Sequence, residues 1–125
     1  MKQVSIVTLG CSKNDVDSNQ MRGILDEEKY RFTNSVTDAE VIVVNTCGFI
    51  DAAKEESIDT ILDLARLKTE GKLETLLLAG CLAQRYPDEL LESIPEADGI
   101  IGPGHIRSIN DAIEGAYENK KPVYT

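Results

Sequence analysis

The sequence predicts an α/β fold, with an open, mainly parallel sheet of five strands and helices on both faces. Strand-like and helix-like segments alternate along the 125 residues, as they do when helices connect parallel strands. The apolar runs 41–46 and 74–79 are continuous, which is typical of strands covered on both faces. The expected architecture is flavodoxin/Rossmann-like, with the strand order 2-1-3-4-5 that is common among open sheets of this kind.

Each predicted strand is a short run of apolar or β-branched residues. The strands cover 3–9, 30–36, 41–46, 74–79 and 98–102. Helices are predicted where apolar residues recur at intervals of three and four, over 14–28, 51–70, a segment from Pro87, and 106–117. The second of these helices has an expected inner stripe of Ile58, Ile61, Leu62 and Ala65. The segment "TDAE" between the second and third strands is too short for a full helix, so we expect a turn or a single helical turn there.

Length and composition indicate one domain with a single core. No apolar run is long enough for a membrane span, and the N-terminus lacks the features of a signal peptide, so a cytoplasmic location is expected without a membrane partner. The formal net charge of −9 argues against direct nucleic-acid binding, because an acidic surface repels phosphate groups.

The three cysteines share one sequence context. Cys11, Cys47 and Cys81 each follow a predicted strand, lie beside a glycine and precede a helix. Because the carboxyl ends of parallel strands meet at one edge, and strands one, three and four are neighbours in the expected order, the three thiols are predicted to converge there. An odd number of widely spaced cysteines in a reducing compartment makes a disulfide framework improbable.

Three convergent thiols favour a metal or an iron–sulfur cluster, since thiolates are the ligands of both. They are one ligand short of a full set, which leaves an open position for chemistry. Asn14, Asn45 and Thr46 are candidates to hydrogen-bond a cluster, although capping and turn roles explain them equally well. His105 follows the fifth strand at the same edge. It is either a fourth ligand of a Cys₃His zinc site or, as we favour, a surface or capping residue.

The residues around these cysteines resemble a known family. The segments "LGCSKNDVDSNQM", "VIVVNTCGFIDAAKEESIDTIL" and "AGCLAQRYPDEL" are similar to the N-terminal (UPF0004) domain of the radical-SAM methylthiotransferases, and the resemblance covers essentially the whole chain. "GCSKN" and "NTCGFID" look like the RimO-like branch, which modifies an aspartate of small-subunit ribosomal protein twelve. A domain of a tRNA-adenosine methylthiotransferase is the alternative within the family. Asn19 departs from the pattern, since the family often has Glu there.

The resemblance implies that Cys11, Cys47 and Cys81 hold an auxiliary 4Fe-4S cluster with one iron left open for the sulfur to be transferred. It also implies a central domain with S-adenosylmethionine and a second 4Fe-4S cluster, and a C-terminal TRAM domain. The chain contains no CxxxCxxC motif for that second cluster. We therefore expect residues 1–119 to form the N-terminal domain and 120–125 to begin a linker, with no catalytic residues beyond the cluster ligands and no activity in isolation.

A hypothesis from another functional class remains open on sequence grounds. The chain would then be a non-catalytic, flavodoxin-like binding module whose thiols are core residues or hold structural zinc. Small, buried cysteines are common in cores. Metal content distinguishes these hypotheses, because inert thiols hold no metal and a zinc site holds one ion per chain.

Overall fold

The computed structural model describes residues 2–9, 12–46, 51–118 and 120–124, and of residues 12–15, 17, 51–54, 56, 57, 81 and 103 it describes the backbone alone. Its strands form one fully parallel sheet of six, in the order β2-β1-β3-β4-β5-β6. The strands are β1 (Lys2–Thr8), β2 (Tyr30–Phe32), β3 (Val41–Thr46), β4 (Thr75–Gly80), β5 (Gly99–Ile101) and β6 (Val123–Tyr124). The predicted α/β class and the predicted order of the first five strands are confirmed.

The helices lie between the strands. They are α1 (Ser12–Ile24), α2 (Asp51–Ala65), α3 (Leu67–Glu70), α4 (Cys81–Arg85), α5 (Pro87–Ser93) and α6 (Ile109–Tyr117), with a 3₁₀ helix at Pro103–Ser108. Residues 36–38 form a turn between β2 and β3, as predicted for "TDAE". None of the described helices combines the length and apolar character that crossing a membrane requires.

The central strands are buried on both faces because their side chains alternate between two apolar clusters. On one face, Ile42 and Val44 pack with helices α2, α4 and α5. On the other, Val41 and Val43 pack with α1 and α6. Every residue of β3 and of β4 is buried. This two-sided cover explains why both strands are continuous apolar runs in the sequence.

The predicted strand count of five is wrong, because Val123 and Tyr124 add a sixth strand at the edge of the sheet. The Ile100 N–H donates to the Pro122 carbonyl at 2.8 Å, and the Gly102 N–H donates to the Tyr124 carbonyl at 2.7 Å. A strand of two residues after a Lys-Lys-Pro sequence carries no hydrophobic pattern of its own. Its position depends on the free edge of β5.

The predicted inner stripe of α2 is partly wrong. Ile61 and Ala65 are buried as expected, but Leu62 is 43% exposed and Leu64 takes the inward position. At 100° per residue, Leu62 and Leu64 lie at equal angles on either side of the line between Ile61 and Ala65. The helical period therefore cannot choose between them, and packing against the sheet decides.

Candidate functional site

The carboxyl ends of β1, β3 and β4 lie side by side. Thr8 pairs with Asn45, and Thr46 pairs with Gly80. From β1, the chain first adds β2 on one side of the sheet and then adds β3 and the later strands on the other side. The position between β1 and β3 is therefore the switch point of strand order, where open α/β sheets bind ligands. The three cysteines follow these three strands in the sequence, and the predicted adjacency of the strands is confirmed.

The cysteine side chains themselves lie outside the described part of the structure. Cys11 and Cys47 are outside the described residues, and for Cys81 the backbone shows that it is the first residue of α4. The predicted convergence of the thiols therefore stays a prediction. Among the side chains that are described, no three His, Cys, Asp or Glu residues form a group that could hold a metal ion.

Gly80 sits where the chain leaves β4 for α4, and no larger residue fits there. Its φ is +90°, a conformation that side-chain-bearing residues rarely adopt. A Cβ at this position would overlap the Thr46 carbonyl oxygen and stand 2.6 Å from Asn45 Oδ1. The glycine that precedes Cys81 therefore permits a close approach between the ends of β3 and β4.

Thr46 joins the end of β3 to the beginning of α4. Its buried hydroxyl donates to the Ala79 carbonyl at 2.5 Å and accepts from the Ala83 N–H at 3.3 Å. In the sequence, these two partners fall on either side of Cys81. Of the two roles considered for Thr46, the structure supports a capping role, because the hydroxyl satisfies a backbone N–H in the first turn of a helix.

Ser18 joins helix α1 to two of the three strand ends. Its hydroxyl shares a hydrogen bond with Thr8 Oγ1 at 2.6 Å and accepts one from Asn45 Nδ2 at 3.0 Å. Both Ser18 and Asn45 are buried. Ser18 was not predicted as a site residue. Its signal in the sequence is a polar residue in register with the buried Met21 and Leu25 on the inner face of α1.

The other predicted site residues are less informative. The side chain of Asn14 lies outside the described part of the structure. His105 is exposed in the 3₁₀ helix, where its backbone N–H donates to the Gly102 carbonyl at 2.9 Å. Asn19 is also exposed. The exposure of His105 fits the surface role that the sequence favoured over a ligand role.

A second polar cluster lies at the opposite end of the strands, where their amino ends meet. Lys2 Nζ lies 2.7 Å from Glu74 Oε1 and 3.2 Å from Glu40 Oε2, and the Tyr117 hydroxyl donates to Glu74 at 2.9 Å. Hydrogen bonds from Lys2 and Tyr117 lower the pKa of Glu74. Burial, followed by the bond to Glu74, raises the pKa of Tyr117. The cluster attaches the end of α6 to the amino ends of β1 and β4, away from the strand ends that the cysteines follow.

The donor set at the carboxyl edge suits an iron–sulfur cluster. Three cysteines follow three adjacent strands in the sequence, and cysteine thiolates are the ligands that such clusters take. The glycine before Cys81 lets the ends of β3 and β4 lie in close contact, because a Cβ at that position would overlap the Thr46 backbone. Buried hydroxyl and amide groups of Ser18, Asn45 and Thr46 fix the strand ends against their helices.

Comparisons with known proteins show which proteins this chain is similar to. The chain is 50% identical over 120 residues to the ribosomal protein uS12 methylthiotransferase RimO of Desulforamulus reducens, covering 96% of this chain and 27% of that protein. It is 52% identical over 114 residues to the protein of the same name from Natranaerobius thermophilus, covering 91% and 26%. The protein of the same name from Clostridioides difficile is 48% identical to this chain over 114 residues, which are 91% of this chain and 26% of that protein.

The chain thus spans about a quarter of the length of the curated relatives it matches. The model of the uncharacterized protein family UPF0004 matches residues 3–102, which include all three cysteines and strands β3, β4 and β5 in full. The resemblance drawn from the sequence is confirmed at the level of this family. The chain belongs to the uncharacterized protein family UPF0004.

Proposed function

We propose that this chain is the N-terminal domain of a methylthiotransferase that adds a methylthio group to the β-carbon of an aspartate of small-subunit ribosomal protein uS12. The observation that carries the proposal is 50% identity over 96% of the chain to a protein named for that activity. Residues 1–119, together with the edge strand β6 that pairs with β5, form the domain of a longer, cytoplasmic enzyme.

Within this function, Cys11, Cys47 and Cys81 hold an auxiliary 4Fe-4S cluster. The adjacency of β1, β3 and β4 supports this assignment, because neighbouring strands are only about 4.8 Å apart and their ends present residues to a common point. When bound, the cluster offers one iron without a protein ligand to the sulfur that is transferred. Three protein ligands, rather than four, are what leave that position open.

The remaining residues of the site hold the ligands in place. Ser18 fixes the ends of β1 and β3 against helix α1, and Thr46 fixes the beginning of α4 against β3. Gly80 allows the two strand ends to approach closely. A preorganised ligand set of this kind reduces the conformational entropy that cluster binding has to overcome.

The rest of the reaction belongs to domains that this chain does not include. A radical-SAM domain would supply S-adenosylmethionine and the second 4Fe-4S cluster, and a TRAM domain would help to bind the substrate. The absence of a CxxxCxxC motif from these 125 residues supports this division. The isolated chain is therefore expected to bind the auxiliary cluster and to modify nothing.

The test uses the full-length protein that contains this chain. We expect it to restore one methylthio group on an aspartate of uS12 in a strain lacking the modification, detected by peptide mass spectrometry. Cys81→Ala in the same protein should abolish the modification, whereas Gln20→Ala, an exposed change on α1, should not. Methylthiolation of tRNA adenosine with unmodified uS12 would instead assign the tRNA-modifying branch. Modification of neither substrate would contradict the proposal.

A further inference from the structure

Helix α4 begins at Cys81 without a cap from its own segment. The residue before it, Gly80, has no side chain with which to accept a hydrogen bond, and no local side chain caps the helix. The first N–H groups of any helix lack acceptors within the helix, and buried ones need a partner from elsewhere. In a helix of five residues, the geometry of the first turn is most of the geometry of the helix.

Thr46 supplies this cap from the neighbouring strand. It pairs with Gly80 across the sheet, and because Gly80 has no side chain, the Thr46 backbone lies directly against the residue that precedes α4. The hydroxyl accepts from the Ala83 N–H and donates to the Ala79 carbonyl. Cys81 lies between these two anchored residues. Because Thr46 is fully buried, water does not compete for either bond.

We propose that Thr46 is a positioning residue for Cys81. Its hydroxyl holds the backbone from Ala79 to Ala83 in the conformation from which the Cys81 thiolate binds the cluster. The inference rests on the proposed function for its cluster, but its physical basis is the pair of hydrogen bonds alone. It assigns to Thr46 an action through the backbone, in place of a direct hydrogen bond to a cluster sulfide.

The test compares three variants of the 125-residue chain. Thr46→Val keeps the side-chain shape and removes the hydroxyl, and Thr46→Ser keeps the hydroxyl. Thr75→Val is the matched control, since Thr75 is equally buried but lies at the opposite end of β4. Any general loss of stability from removing a buried threonine hydroxyl appears in the control as well.

The first readout needs no cluster. Amide hydrogen exchange in the iron-free chain should be about tenfold faster at Ala83 in Thr46→Val than in the unmodified chain, relative to exchange at Val43 in the centre of β3. In Thr75→Val the ratio of exchange at Ala83 to exchange at Val43 should stay within about twofold of the ratio in the unmodified chain. In Thr46→Ser, which keeps the hydroxyl, the ratio should be close to that of the unmodified chain. An unchanged ratio in Thr46→Val would show that the hydroxyl does not hold this segment, and would overturn the inference.

The second readout uses chain reconstituted with iron and sulfide without oxygen. Release of iron to a chelator should be about tenfold faster from Thr46→Val than from Thr75→Val, with both measured at the same interval below their own melting temperatures. Equal release rates would limit Thr46 to a structural role and overturn the inference. If the unmodified chain takes up no iron, the proposed cluster function fails by itself, and exchange at Ala83 still decides whether Thr46 holds the segment.

Discussion

Gly80 lies so close to Thr46 that the backbone of one strand end occupies the space where a side chain of the other would stand. The positive φ of Gly80 and this contact are two separate reasons for glycine at the position. Gly23 is the opposite case, a helical glycine in α1 where an added methyl group would have no neighbouring atom within 4 Å. The same substitution should therefore change stability in opposite directions at the two positions.

Gly80→Ala is expected to lower the free energy of unfolding by at least about 1–3 kcal/mol, the usual cost of a glycine-only backbone conformation. Gly23→Ala should raise it by about 0.5–1 kcal/mol, because alanine favours the helix. Urea denaturation of the iron-free chain measures both. An unchanged or higher free energy of unfolding for Gly80→Ala would contradict the conformation assigned to Gly80, and a lower one for Gly23→Ala would contradict the open surroundings assigned to Gly23.

Ser18→Ala removes the hydroxyl that connects Thr8 and Asn45 to helix α1. We expect a loss of about 1–3 kcal/mol in the free energy of unfolding, because buried polar groups lose a hydrogen-bond partner. Gln20→Ala, two residues along the helix and exposed, should stay within about 0.5 kcal/mol. Denaturation of the two variants side by side distinguishes a buried network from a general sensitivity of α1.

The polar cluster at the amino ends of β1 and β4 should make the free energy of unfolding depend on pH. Because the folded pKa of Glu74 lies below its ordinary value of 4.5, its contribution is present above that value and is lost as the pH falls through the folded pKa. Melting temperatures of the unmodified chain and of Glu74→Gln should therefore differ at pH 6 to 7 and converge toward pH 3.

The exposed Glu92 on α5 provides the control for this titration, since Glu92→Gln should melt close to the unmodified chain across the whole range. The raised pKa of Tyr117 does not affect this acid titration. The neutral phenol stabilises the fold, and that contribution is lost only as the pH rises above 10, the ordinary pKa of tyrosine. A difference between the chain and Glu74→Gln that stays constant from pH 7 to pH 3 would contradict the ion pairing assigned to Glu74.

The parts of the fold that the sequence predicted are those with a strong pattern of their own. Strand β3 was predicted at its observed bounds, because six consecutive buried residues leave no ambiguity. The apolar period predicted a helix over 106–117, and there Ile109, Ile113 and Ala116 are buried in α6 and Ile106 in the 3₁₀ helix before it. Strand β6 was not predicted, because its position depends on pairing with β5 and not on a pattern in its own sequence.

The candidate site divides in the same way. The adjacency of β1, β3 and β4, the strands that precede the three cysteines in the sequence, followed from the alternation of strands and helices. The bonds of Ser18 and Thr46 did not follow, because they join residues 10 to 37 positions apart whose register is set only by the folded sheet. Sequence patterns locate the candidate ligands, and tertiary structure shows what holds the strand ends before them.

Iron content of the isolated chain tests the central claim most directly. After reconstitution with iron and sulfide in the absence of oxygen, we expect about four irons per chain and broad visible absorption, as for a 4Fe-4S cluster. Cys11→Ala, Cys47→Ala and Cys81→Ala should each severely weaken cluster binding, whereas His105→Ala should leave it unchanged. A full cluster in any one of the cysteine variants would contradict the assignment of that cysteine as a ligand. One zinc per chain that is lost in His105→Ala, or no bound metal at all, would contradict the cluster assignment as a whole.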